Sequence, residues 1–195
     1  MAWLRLSFLL WLALYALSLA HPADAADAHV AVARLRGTIN PAAASYVERA
    51  LATAEESGAV LFVLQLDTPG GLDTSMRQII QRILASPVPV AVYVAPPGAR
   101  AASAGMYITI SAHVAAMAPN TNIGSATPVA MGQGGEQVMS DDMRNKAVND
   151  AVAYARSLAL SRERNADWVE QAVREAVNAP AEEALRLGVI DYVAP

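Results

Sequence analysis

Pro96-Pro97-Gly98-Ala99-Arg100-Ala101-Ala102-Ser103-Ala104-Gly105 follows a short apolar run, Val88 to Val94, and leads into Met106-Tyr107-Ile108-Thr109-Ile110. The apolar run reads as a buried strand, which two prolines and a glycine bring to a stop. One hydroxyl, that of Ser103, then stands among residues with almost no side chain, so another backbone can approach its oxygen closely. A helix beginning near Ser103 would leave free N–H groups at its N-terminus, able to hold a developing negative charge. A strand-to-helix junction whose small residues merely permit close packing explains the same pattern.

Outward from this stretch, strand and helix signals alternate. Val30, Val32 and Leu35 belong to a first strand ending at Gly37. Asn40-Pro41 starts a helix, with a capping side chain and then proline at the first helical position. That helix runs to about Ser57 and stops at Gly58. Val60 to Leu66 reads as a central parallel strand, and Asp67-Thr68-Pro69-Gly70-Gly71 follows it. A helix over 73–85 places Met76, Ile79, Ile80 and Ile83 on one face. Beyond Ser103 come a short helix, a strand over Val114 to Met117, and Pro119-Asn120-Thr121-Asn122-Ile123-Gly124. Val129 to Met139 has no periodic pattern and reads as a mobile loop. Helices are expected from Ser140 to about Leu160, from Ala166 to Val177 and from Pro180 to Leu187, and a last strand over Val189 to Val193. The alternation predicts an α/β fold with a mainly parallel sheet.

The first residues carry a different signal. Arg5, an apolar run from Leu6 to Leu19, and small residues at Ser18-Leu19-Ala20 and Ala23-Asp24-Ala25 read as a signal peptide over 1–25, cut after Ala20 or Ala25. An uncleaved N-terminal anchor is the alternative. Either way residues 26–195 form one exported domain, periplasmic or otherwise extracytoplasmic. The sequence stops at Pro195, abruptly after a strand, which leaves room for a longer parent protein.

Composition narrows the chemistry. The chain has 195 residues and a net charge of −4, with no basic block, so nucleic acid is not the expected partner. Without cysteine, disulfides, thiolate nucleophiles and thiolate zinc sites are excluded. His21, His29 and His113 are too scattered for a metal site, and none is an obvious base for Ser103; His113 is expected to make a structural hydrogen bond. Of the 14 basic residues only one, Lys146, is a lysine. A desolvated lysine can accept a proton and arginine cannot. Lys146 precedes Asp150 by one helical turn, so an exposed ion pair is one reading of it. The other is an amine buried against apolar surface that takes the Ser103 proton, a known variant of triad chemistry.

Open α/β sheets place their sites beyond the carboxyl ends of strands. Two consecutive strands here end in the glycine loops 69–71 and 98–105, and a glycine backbone facing Ser103 across that crevice would set an N–H donor beside a nucleophile. Phosphate binding at Gly70-Gly71 is disfavoured because no lysine-containing loop follows. Met131, Val138 and Met139 are candidates to line an apolar substrate groove.

Three stretches in order, Asp67 to Gly71, Pro96 to Gly105 and Met117-Ala118-Pro119-Asn120-Thr121-Asn122-Ile123-Gly124, resemble the NfeD family. Its N-terminal protease domain is of the ClpP-class, crotonase-like serine protease type. The resemblance covers essentially everything after the leader. It implies repeated ββα units around a mainly parallel sheet flanked by helices, with Ser103 as nucleophile. It implies Lys146 as general base, since Asn145-Lys146-Ala147-Val148-Asn149 falls where the family's lysine helix lies. It further implies an oxyanion hole from Gly71, with Gly70 adjacent, and the amide of Ala104, and no cofactor. Members are similar in lying beside stomatin-like membrane proteins and cleaving an apolar C-terminal segment of them, and relatives of this domain form homodimers. Arg100 and Met106 depart from the usual small or hydroxyl residues, and Arg100 is expected to narrow the site. A crotonase-like acyl-thioester enzyme, disfavoured by export, and a catalytically silent scaffold binding a membrane protein are the alternatives.

Overall fold

The computed structural model describes residues 28–132, 135–137 and 139–195. The leader or anchor expected over residues 1–25 lies outside them. Strands β1 (Val30–Arg36), β2 (Leu61–Asp67), β3 (Val90–Val94), β5 (Val114–Met117) and β10 (Tyr192–Val193) form one parallel sheet in the order β1-β2-β3-β5-β10. Between them run α1 (Pro41–Glu56), α2 (Asp73–Leu84) and α3 (Ala104–Ser111), and α4 (Asp141–Ser161), α5 (Ala166–Arg174) and α6 (Ala181–Arg186) follow β5.

The register shows how the alternation in sequence builds the core. Ala33, Leu64, Val92 and Ala115 lie side by side across four strands, and Leu35, Leu66, Val94 and Met117 form the next row. All eight are buried. The opposite face carries Arg34, Gln65 and Tyr93 in one row, with the Arg34 Nε donating to Gln65 Oε1 at 3.1 Å. Helix α1 starts as its residues dictate: Asn40 Oδ1 accepts from the Ala43 N–H at 2.9 Å, and Pro41 opens the first turn. It buries Ala44, Val47 and Leu51.

Each long strand is followed by a short extended piece and then a helix. Ile39 bridges Gly71 before α1, and Thr68 bridges Ala101 before α2. Strand β4 (Arg100–Ala102) precedes α3, and β6 (Asn122–Gly124) follows β5. These are the expected ββα units. With β9 (Asn178–Pro180), β4 and β6 make a second, three-stranded sheet that the sequence reading did not contain. The helix expected to reach Val177 accordingly ends at Arg174, and the last strand is only Tyr192–Val193. The expected irregular loop over Val129 to Met139 instead contains two short antiparallel strands, β7 (Ala130–Gly132) and β8 (Gly135–Gln137). Among the described residues no helix is long and apolar enough to cross a membrane.

Candidate active site

The three motif stretches meet at Ser103. Strand β4 lies between the Thr68 bridge and β6: the Thr68 N–H donates to Arg100 O at 2.8 Å, and the Ala102 N–H to Thr68 O at 3.1 Å. The Ser103 N–H donates to Gly124 O at 3.0 Å. The chain then turns sharply into α3, with Ser103 itself as the N-terminal cap at φ 52° and ψ −119°. Such a conformation in a residue with a Cβ is strained by about 1–3 kcal/mol and marks functional sites when the surroundings enforce it. Hydrogen bonds on both sides of β4 provide that enforcement.

Across the crevice, the Asp67–Gly71 loop is folded by Thr68, whose buried Oγ1 accepts from the Gly70 N–H at 3.0 Å. Gly70 is pressed against the serine: a Cβ there would lie 2.6 Å from Ser103 Cβ and 3.1 Å from Ser103 Oγ, at φ +111°. Gly71 and Ser103 line the same cavity, of about 320 Å³, together with Ala104. The Ile39–Gly71 bridge is closed by the Ile39 N–H to Gly70 O and the Leu72 N–H to Ile39 O, and neither bond uses the Gly71 N–H. Ala104 is the first residue of α3, where the backbone N–H has no intrahelical partner. Two of the three expected oxyanion residues therefore fit as donors. Gly70 does not, because its N–H is committed to Thr68; its contribution is the missing side chain that lets the loop touch Ser103.

The rest of the cavity wall is largely apolar, with Leu72 at the cap of α2, Met76 within it, and Ala126, Pro128 and Val129 from the segment after β6. Of the expected groove residues, Met139 is half-buried and is not part of this lining. Val138 and the side chain of Met131 lie outside the described residues. Arg100 does not narrow the site: it is exposed, and its N–H donates to Asp67 Oδ1 at 3.2 Å. Met106 is wholly buried in the core. His113 has the structural role expected of it, its Nδ1 accepting from the Val90 N–H at 3.1 Å.

Lys146 departs from expectation. It lies on α4, five residues before the cavity-lining Ala151, and it is exposed rather than buried against apolar surface. The simple ion-pair reading fails as well, because Asp150 is held by Arg77 at 2.7 Å instead. Residues 141–146 are all exposed, and α4 first packs against the core at half-buried Val148, two residues after the lysine.

A cluster not foreseen from the sequence closes one end of the cavity. Arg77 pairs with Asp73 at 2.9 Å and Asp150 at 2.7 Å, and its guanidinium sits 4.3 Å above the Tyr154 ring. Tyr154 stacks on Tyr107, with ring centroids 6.1 Å apart, and the Tyr107 hydroxyl donates to Ala151 O at 3.4 Å. Burial pushes the Tyr107 phenol well above its ordinary range, with the Asp73 charge adding to the effect, so it stays neutral. The Asp73–Arg77 spacing was visible in the sequence, but contacts that join three helices were not. Among the described residues no group of three His, Cys, Asp or Glu is placed to hold a metal ion.

A strained serine at a helix N-terminus, faced by a glycine backbone beyond the strands of a parallel sheet, is the ClpP-like α/β architecture. Solved structures share it. The stomatin-specific membrane-bound protease 1510-N, as a lysine-to-alanine variant in complex with a substrate peptide, superposes with a TM-score of 0.80 at 39% identity, covering 86% of this chain and 75% of that one. A structure described as the 1510-N membrane protease specific for a stomatin homolog from Pyrococcus horikoshii gives 0.73 at 38% identity, covering 86% and 74%. Among curated proteins, the membrane-bound protease PH1510 of Pyrococcus horikoshii is 40% identical over 166 residues, which are 85% of this chain and 37% of the relative. Membrane protein NfeD1b of Bacillus subtilis is 38% identical over 91 residues, 47% of this chain and 20% of the relative. The chain thus spans well under half of these two relatives. The profile of the NfeD1b N-terminal domain matches residues 29–192, and the chain belongs to that family.

Proposed function

We propose that this domain is a serine endopeptidase. Ser103 Oγ attacks a peptide carbonyl while neutral Lys146 Nζ takes its proton. The oxyanion lies against the N–H groups of Gly71 and Ala104. Lys146 then protonates the leaving amine, and water hydrolyses the acyl-enzyme. The observation that carries this reading is the convergence of a strained Ser103, the free-standing Gly71 N–H and the first N–H of α3 on one cavity. The 1510-N protease, solved as a lysine variant with a substrate peptide and as a serine variant, points to the same pair of residue types.

The exposure of Lys146 bears on which substrate suits the site. Desolvation makes a lysine a better proton acceptor near neutral pH, so a substrate segment that lies over α4 and shields the amine would speed the reaction. An apolar segment does this best, and the cavity wall of Leu72, Met76, Pro128 and Val129 suits one. In this reading the substrate is an apolar stretch of a stomatin-like membrane protein, cleaved on the extracytoplasmic side of a membrane by a homodimer of this domain. The same exposure favours a second reading, a silent scaffold that binds such a segment without cutting it. Incubation with a purified stomatin-like protein decides between them: new fragments that disappear with Ser103→Ala support the peptidase, and binding with no fragments supports the scaffold.

A further inference from the structure

The structure assigns Arg77 a place in the reaction: we infer that it is a positioning residue, holding the Lys146 segment of α4 in reach of Ser103 through its ion pair with Asp150. This rests on the serine–lysine reading above.

Lys146, Asp150 and Tyr154 follow one another at four-residue intervals, so they share one face of α4. Asp150 and Tyr154 show where that face points. Both are gripped by Arg77 of α2, and Tyr154 also stacks on Tyr107, one turn along α3 from Ser103. The proposed base and the proposed nucleophile each stand one turn from a residue of the same cluster. Arg77 is itself fixed by Asp73, one turn back on α2, through Nε at 2.9 Å, which aims its Nη2 at Asp150.

What makes this pair decisive is where core packing stops. All of residues 141–146 are exposed, half-buried Val148 is the first residue of α4 to pack against the core, and full burial begins only at Val152. Lys146 is therefore carried on the exposed first turns of α4, just before the point where Val148 meets the core. The polar ties to other helices nearest to it are the Arg77–Asp150 pair on the α2 side and, on the α5 side, the Arg174 Nη1 donation to Asn149 Oδ1 at 3.2 Å. The latter is a single exposed bond to a neutral acceptor. Removing the charged tie leaves the fold intact and lets the lysine-bearing turns swing.

The test uses a fluorophosphonate probe, whose covalent capture by serine needs the base but not the natural substrate. Labelling rates are measured against probe concentration for the intact chain and for Arg77→Met, Asp150→Ala, the double variant, Arg77→Lys and Lys146→Ala, with a thermal melt of each. A misplacement on the order of 1 Å lowers a rate as much as 100-fold, so Arg77→Met and Asp150→Ala should each cut the maximal rate by about tenfold or more. Half-saturating probe concentration should be unchanged in Asp150→Ala, which lies outside the cavity lining, and melting temperature unchanged in all, with the double variant no slower than the singles and Arg77→Lys restored towards the parent. Parent rates in Asp150→Ala, or losses in the two single variants that multiply in the double, overturn the inference. Parent rates in Lys146→Ala overturn the underlying dyad instead.

Discussion

Adding one methyl group at Gly70 is the sharpest perturbation the geometry offers. The Cβ of Gly70→Ala would stand 2.6 Å from Ser103 Cβ, 3.1 Å from its Oγ and 3.3 Å from Ala102 O. Ordinary contact begins near 3.4 Å, so the two loops must part by about 0.8 Å. Neither side yields easily: Ser103 is tied to Gly124 O, and Gly70 is tied through its N–H to Thr68 and through its O to Ile39. The separation moves Gly71, the adjacent oxyanion donor, away from the serine. Losing such a donor costs about 100- to 1,000-fold in rate, and displacements of this size cost similar factors. Alanine at φ +111° adds a strain of about 1–3 kcal/mol, visible as a lower unfolding midpoint. The assay is the fluorophosphonate labelling rate of folded Gly70→Ala, with folding checked by circular dichroism. Labelling within about threefold of the parent, where 100-fold is expected, would refute the idea that this loop completes the site.

Three further outcomes are expected. Lys146→Arg should lose almost all activity with an unchanged melt, because guanidinium keeps its proton; parent turnover would place the base elsewhere. Ser103→Gly should be more stable in urea than Ser103→Ala by about 1 kcal/mol, since glycine adopts φ 52° freely; equal or lower stability would mean that Ser103 holds no strain. Burial, reinforced by the positive charges of Arg162 and Arg164, lowers the His113 imidazole below its ordinary value. Its Nδ1 must also stay unprotonated to accept from Val90. The unfolded chain takes up that proton near pH 6.5 and the folded chain does not, so His113 destabilises the fold as pH falls below about 6.5. The urea midpoint of the parent should drop more between pH 7 and pH 5.5 than that of His113→Gln; equal drops would exclude His113 as the cause.

The parts of the fold legible in the sequence were those written over many residues. β2 and α2 declare themselves because period and composition persist for seven and twelve residues. β4, β6 and β9 are three residues each, and Ala101, Ile123 and Ala179 are buried by long-range pairing that no local pattern encodes. At the site, the small residues around Ser103 and the glycines at 70 and 71 announced a close approach of two backbones. That approach is there, but the hydroxyl of Thr68 decided which glycine kept a free N–H. The exposure of Lys146 did have a signal, in the charged residues Asp141, Asp142 and Arg144 beside it. The Arg77 cluster had only the Asp73–Arg77 spacing, since helices distant in sequence supply Tyr107, Tyr154 and Asp150.

Mass spectrometry of the fluorophosphonate-treated chain tests the serine–lysine chemistry most directly. The adduct should map to Ser103, vanish in Ser103→Ala and fall to background in Lys146→Ala. An adduct that persists in Ser103→Ala, or forms at the parent rate without Lys146, would contradict it.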